Sequence, residues 1–277
     1  NIFMTVAEIP PVEPVLARDD KLDVLASGYT PTKRRIEIIV MILFTISWVG
    51  AAYNIRTIGD NFVQNITSSA IGFIISMFIA DFLGGVVHWA CDTWGSPNSK
   101  IVGVFIRSFR EHHIDPQAMT KHDFIEVSAD SCIIPMPFLI LATFWRIQFS
   151  LQIELLLMNI ALWTTFFVMM TNQVHKWAHV STNKRPYIVQ LLQSIRVILH
   201  PQVHNKHHRP PFDKNYCIFN GWMNPILASF GFWRKVERMI TFVSGNVPRA
   251  DDAGWTGRFE IDNAGNSVKR KPARPSQ

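Results

Sequence analysis

The chain has 277 residues, 48% of them hydrophobic and only 17% charged, against roughly 25% charged in an ordinary soluble domain. Lysine and arginine outnumber aspartate and glutamate by 27 to 21, a formal charge of +6. The basic residues flank apolar runs or sit in the terminal segments, and none forms a stripe interleaved with aromatics, which argues against nucleic-acid binding. Three isolated cysteines, Cys91, Cys132 and Cys217, make no CxxC pair, so neither a disulfide framework nor a thiolate zinc site is expected.

Residues 1–32, with Pro10, Pro11, Pro14 and Asp19-Asp20, read as a disordered cytoplasmic arm with no signal-peptide pattern. A membrane domain over 33–240 follows. Its apolar helical segments are expected at about 36–55, 65–93, 132–146 and 153–176, since a span takes about 20 residues. The third run is short and carries Pro135 and Pro137, which suits a kinked or re-entrant half of a hairpin. Lys33-Arg34-Arg35 places the N-terminus in the cytoplasm, so the second and fourth runs end on that side. Residues 241–277, with Gly245, Pro248 and Asp251-Asp252, are expected to be a mostly disordered cytoplasmic tail.

Nine of the ten histidines fall into four short clusters. These lie in two His-rich segments, 88–125 and 175–210, at or beyond cytoplasmic helix ends. His175 and His179 are one helical turn apart on one face, as are His88 and Asp92. His204, His207 and His208 repeat that spacing. His112 and His113 are adjacent and diverge on a helix, which serves two metals lying side by side. His122, between Lys121 and Asp123, completes the ligand set of nine.

Neutral imidazole is a good ligand for divalent iron. Nine donors suit two metals at four or five ligands each. There is no HExxH for a zinc protease and no paired Glu-x-x-His helices of the carboxylate di-iron bundles. An all-histidine dimetal site in an all-α, multi-pass helical bundle with a cytoplasmic cap is the reading that remains. His200, before Pro201, is left out of it. Asp92 reads as a metal ligand, an orienter of a ligand histidine or a helix cap, with the orienter role leading, and Asp81, costly in a membrane unless paired, is expected to face the site and hydrogen-bond a ligand. Asp115 and Asn172 are further candidates for the surrounding shell. Arg107, Arg110 and Lys176 are candidates to hold a lipid phosphate.

The strings DFLGGVVHWACDTWGS, FREHHIDP, KHDFIE, NQVHKWAH, HNKHH and GFWR resemble the Kua family of plasmanylethanolamine desaturases, related to bacterial CarF-type proteins and more distantly to a plant plastid acyl-lipid desaturase. The resemblance covers roughly residues 36–238. It implies that His175/His179 and His204/His207/His208 are the family's two histidine boxes and that His88, His112, His113 and His122 are its other recurrent histidines. It also implies two iron ions, dioxygen, electrons from cytochrome b5, and the endoplasmic reticulum membrane. The implied reaction makes the vinyl ether of a plasmalogen from a 1-O-alkyl-2-acyl-glycerophosphoethanolamine. Spacing alone leaves open two other readings, an acyl-lipid desaturase or hydroxylase of the same di-iron class and a non-catalytic membrane adaptor holding structural zinc.

Overall fold

The computed structural model describes residues 29–269 apart from 60, 97–98, 100–101, 145–149, 210–211, 250–258 and 262–266. The expected arm and the end of the tail lie outside the described residues. Among the described residues three helices are long and apolar enough to cross a membrane: α1 (Pro31–Ile58), α2 (Phe62–Thr93) and α6 (Leu151–His179). Between α2 and α6 come α3 (Gly103–Ile114), a 3-10 turn at Ala118–Lys121, α4 (Phe124–Ile133) and α5 (Met136–Phe144). After α6 come a second 3-10 turn (Thr182–Lys184), α7 (Tyr187–Ser194), the short α8 (Pro201–His204), α9 (Met223–Ser229) and α10 (Phe232–Ser244).

Capping residues set the starts of the long helices. Thr30 accepts a bond from Lys33 N with Pro31 in the first turn, and Asn61 accepts from Val63 N, which satisfies N–H groups that no helical carbonyl reaches. The outward faces of the spans are apolar, with Ile39, Ile46, Val63 and Ile74 each more than half exposed. That pattern suits a solvent of lipid chains.

The third apolar run is two short helices rather than one span. α4 ends at Ile133 and α5 begins at Met136, because Pro135 removes a backbone donor and restricts the residue before it. Asp123 caps α4 by accepting from Glu126 N, and Arg34 at the start of α1 grips both Asp123 oxygens, at 2.9 and 2.6 Å. Arg34 holds the Asp123 carboxyl down, to about 2. Lys33 bonds Asp130. At the other end of this layer Leu139 and Leu155 pack with Ala51, Ile55 and Ile58. The broken α4–α5 segment thus runs beside α1 from its first turn to its last.

α2 and α6 run parallel and in register. A Cβ on Gly72 would meet Asn159 at 2.9 Å, one on Gly84 would meet Thr171 at 3.0 Å, and the rings of His88 and His175 lie 5.6 Å apart. The sequence offset is the same in all three pairs. At 1.5 Å per residue these helices are about 48 and 43 Å long, longer than a hydrocarbon core of about 30 Å. Their C-terminal turns therefore project beyond it, and those turns carry His88, Asp92, His175 and His179.

The cap over this end is tied to α2. The buried Asp81 carboxylate accepts from the backbone N–H groups of Phe219, Asn220, Gly221 and Met223 at 2.9–3.0 Å. Gly85 lets the loop lie flat on α2, since a Cβ there would meet Cys217 Sγ at 2.5 Å. Trp89 Nε1 donates to Glu237 of α10, which also pairs with the buried Arg249, and Arg249 N donates to Thr93 O. Within the stretch read from the sequence as a mostly disordered tail, α10 continues to Ser244, Arg249 is a buried anchor, and residues 259–261 pair antiparallel with 267–269.

Candidate metal centre

Two groups of converging donors lie side by side at the projecting helix ends. The first is His112, His175, His179, His204 and His208; the second is His88, Asp92, His113 and His207. Within each group every residue offers a ligand atom less than 4.8 Å from all the others.

In the five-histidine group, His204 Nε2 lies 2.8 Å from His175 Nε2, 2.7 Å from His179 Nε2 and 2.8 Å from His208 Nε2. The His112 and His204 rings stand on opposite sides, 5.8 Å apart and nearly parallel at 19°. The other three rings sit between them, each 4.3–4.6 Å from both. A ring nitrogen carries either one proton or one in-plane lone pair, so three neighbours at hydrogen-bond distance from His204 Nε2 cannot all be hydrogen-bonded to it. A cation among them accounts for the convergence. Burial lowers the pKa of His112, His204 and His208, which keeps them neutral, the form that binds a metal.

In the second group, Asp92 Oδ2 lies 3.2 Å from His88 Nε2, 3.3 Å from His207 Nε2 and 3.5 Å from His113 Nε2, and the last two nitrogens are 3.0 Å apart. Four donors about 2.1 Å from a central ion in a tetrahedron stand roughly 3.4 Å from one another, close to these spacings. Backbone carbonyls fix the ring tautomers. His88 Nδ1 donates to Tyr216 O at 3.1 Å and His207 Nδ1 to Lys214 O at 2.9 Å, which leaves each Nε2 with its lone pair toward the centre. Among the described residues, His88 Nε2, both Asp92 oxygens and both His112 nitrogens are buried without a hydrogen-bond partner. Acceptors facing acceptors in a buried site are costly unless a cation lies between them, so the residues present fit two metal ions.

The placement corrects several expectations. Asp92 stands among the donors rather than behind a histidine, because the i,i+4 spacing sets it and His88 on one face of the last turn of α2. His122 lies outside both groups. Its Nδ1 faces Glu126 Oε1 at 3.2 Å and its carbonyl accepts from Lys176, so the turn before α4 aims it away from the centre. Asp81 bonds no ligand histidine; four backbone N–H groups with no other acceptor claim its oxygens. Asp115 accepts from Gln117 N two residues on, a local turn contact, and Asn172 donates to Ser131 Oγ. Lys176 is committed to the His122 carbonyl. Arg107 is half-buried on α3, and the Arg110 side chain lies outside the described residues. His113 and His112 go one to each group, the divergence expected of neighbours on a helix. His200 caps α8 through Nδ1, accepting from Gln202 N at 3.2 Å. The carbonyls of Lys214 and Tyr216 were not foreseen, since a backbone group leaves no signature in the sequence.

A cavity of about 100 Å³ reaches His112 and His175 from the side of α3 and α4. Phe105, Phe109, Met119 and Val127 make its apolar wall, and Asn172 and Asp130 border it.

The chain matches the lipid desaturase domain over residues 77–251, a stretch that holds every donor of both groups. It is 43% identical over 194 residues to plasmanylethanolamine desaturase 1 of Mus musculus, covering 69% of this chain and 71% of that protein. It is 38% identical over 246 residues to the plasmanylethanolamine desaturase of Myxococcus xanthus, covering 86% and 82%. Fatty acid desaturase 4, chloroplastic, of Arabidopsis thaliana is 30% identical over 190 residues, covering 67% and 56%. No solved structure matches the chain.

Proposed function

The chain belongs to the lipid desaturase family, and on that premise we propose that it is a plasmalogen-forming desaturase. Its substrate is a 1-O-alkyl-2-acyl-glycerophosphoethanolamine, and its product carries a vinyl ether between the first two carbons of the alkyl chain. The observation that carries this reading is the pair of buried donor groups at the projecting helix ends of a bundle whose relatives are named for plasmanylethanolamine.

Two iron ions are the proposed cofactors. Structural zinc is held by four donors, and five imidazoles exceed that number, which favours an ion of higher coordination and disfavours a zinc-holding adaptor. When bound, the iron pair supplies the activation of dioxygen and the removal of hydrogen from unactivated carbon. In balance, dioxygen takes two substrate hydrogens, two electrons and two protons and leaves as two waters. The chain's own part is positional. Eight imidazoles and the Asp92 carboxylate hold the ions, and the Tyr216 and Lys214 carbonyls lock two of the rings. The Phe105, Phe109 and Val127 wall excludes water and seats the alkyl carbons beside the five-histidine group. His122 is proposed to shape the mouth of that slot with Glu126 rather than to bind metal.

The electron donor is cytochrome b5 and the membrane that of the endoplasmic reticulum, with the centre facing the cytoplasm. The positive-inside rule supports this side: Lys33, Arg34, Arg35, Lys176, Lys184 and Arg185 flank the histidine end of the bundle, and Arg56 lies at the other. The deciding measurement is lipidomics of cells lacking this desaturase, with and without the chain restored. Restored vinyl ethers are expected. A restored unsaturated acyl species with vinyl ethers still absent would select the acyl-lipid chemistry of the plant relative instead.

A further inference from the structure

Behind the metal centre lies a larger cavity, about 660 Å³, that the reaction does not use. None of the clustered imidazoles borders it among the described residues. The turns from 200 to 209 send His204, His207 and His208 toward the donor groups, while His200, Val203, Lys206 and Arg209 line this space. Arg196 and Lys214 complete a basic wall. All four basic side chains are exposed, and none makes an ion pair among the described residues.

Beneath the basic wall lies a buried amide. Asn220 borders it and is 3% exposed. Its Oδ1 accepts from Trp222 N at 2.9 Å, and its Nδ2 is buried with no partner among the described residues. A buried amide N–H₂ of that kind is costly unless an acceptor meets it. Arg196 and Asn215, also on the wall, are both held in the left-handed backbone region at φ 59°, the kind of outlier that gathers at binding sites.

The level in the membrane identifies the source of the acceptor. Entering at Phe62 and using about 20 residues to cross the hydrocarbon, α2 leaves it near Phe82. The Trp222 ring packs on Phe78 at 5.1 Å, and the loop bearing Asn220 is fastened to Asp81. The cavity floor is therefore level with the phospholipid headgroups. Next in sequence to the lining residues Arg196 and Pro225 stand Ile195 and Ile226, apolar side chains at least 47% exposed, which suits acyl chains better than water.

We infer that this cavity is a second lipid site, separate from the substrate slot, that takes the phosphate of an anionic glycerophospholipid from the leaflet facing the metal centre. The inference rests on the chain spanning a membrane, and it is independent of which lipid is desaturated.

The test is native mass spectrometry of the full chain in neutral detergent, titrated with phosphatidylglycerol or phosphatidylcholine. Selective retention of phosphatidylglycerol is expected. Arg196→Gln with Arg209→Gln should weaken that retention about thirtyfold, from the loss of two surface charges. Asn220→Asp keeps the acceptor for Trp222 but replaces the donor with an anion, and should weaken it as well. The pair Lys184→Gln and Lys235→Gln, outside the cavity, should leave it unchanged. Equal retention of the two lipids, or unchanged retention in the arginine pair, overturns the inference. Displacement of the lipid by inorganic phosphate at the same free concentration would assign the cavity to free phosphate and also overturn the lipid assignment. If Asn220→Asp fails to accumulate, the arginine pair decides alone. Retention is read without turnover, so a chain inactive on ether lipids still gives the answer.

Discussion

Asp92→Asn separates a carboxylate that binds metal from one that merely orients a ligand. Asp92 Oδ2 stands 3.2–3.5 Å from three imidazole nitrogens and supplies the single anionic donor of the second group. An amide keeps the shape and loses the charge. Altering a group that only supports a ligand costs about 10–100-fold in metal affinity, and replacing the donor itself should cost at least the upper figure. A metal present at 100 times its dissociation constant stabilises the fold by about 2.7 kcal/mol. Losing that lowers the melting temperature by roughly 5–10 °C in a domain of this size. The assay is the metal-to-protein ratio of purified protein together with thermal unfolding in detergent. Asp92→Asn is expected to fall from two ions to one per chain, with the melting temperature falling to match. His122→Ala, which leaves both groups intact, is expected to keep two. Two ions retained by Asp92→Asn, with an unchanged melting temperature, would refute its place among the donors, and loss of an ion from His122→Ala would restore that histidine to the set.

Further outcomes follow from the same architecture. His175→Ala or His208→Ala should abolish vinyl-ether formation while the protein still inserts, and a variant keeping most of the turnover removes that residue from the ligand set; His200→Ala should keep both metals and lose only a helix cap worth about 1 kcal/mol. Asp81→Leu leaves four backbone N–H groups, three of them buried, without an acceptor, at a cost of at least about 3 kcal/mol, so it should unfold the cap; wild-type melting behaviour would contradict the anchoring role. Gly85→Ala drives a methyl group into Cys217 Sγ at 2.5 Å and displaces the loop that supplies the Tyr216 carbonyl, so metal content should fall, whereas full loading would show that the loop yields freely. Cysteines placed at Ser99 and Asn183, on a background lacking reactive thiols, should both react with an impermeant reagent from the cytoplasmic side of sealed microsomes; opposite labelling would contradict the shared side on which the two His-rich segments meet.

Spans, histidine spacings and the break at Pro135 are local properties, and the sequence determines them. An uncharged run long enough to cross lipid must close its backbone hydrogen bonds internally, and residues four apart on a helix share a face wherever the helix is placed. That is why His175 with His179, and His88 with Asp92, were legible as pairs. Which pair meets which was not. His112 and His175 share a group while His113 joins His88, a division that depends on α2 and α6 packing in register through Gly72 and Gly84 and on α3 lying across their ends. Asp92 rather than His122 stands among the converging donors for the same reason: the last turn of α2 carries Asp92 beside His88, and the turn before α4 sends His122 toward Glu126. Asp81 looked like a partner for the metal site because it lies on the stripe of His88. The tertiary structure decided otherwise, because a carboxylate in a low-dielectric interior goes to the unpaired donors nearest it, and those were the backbone N–H groups of a loop well over a hundred residues away in sequence.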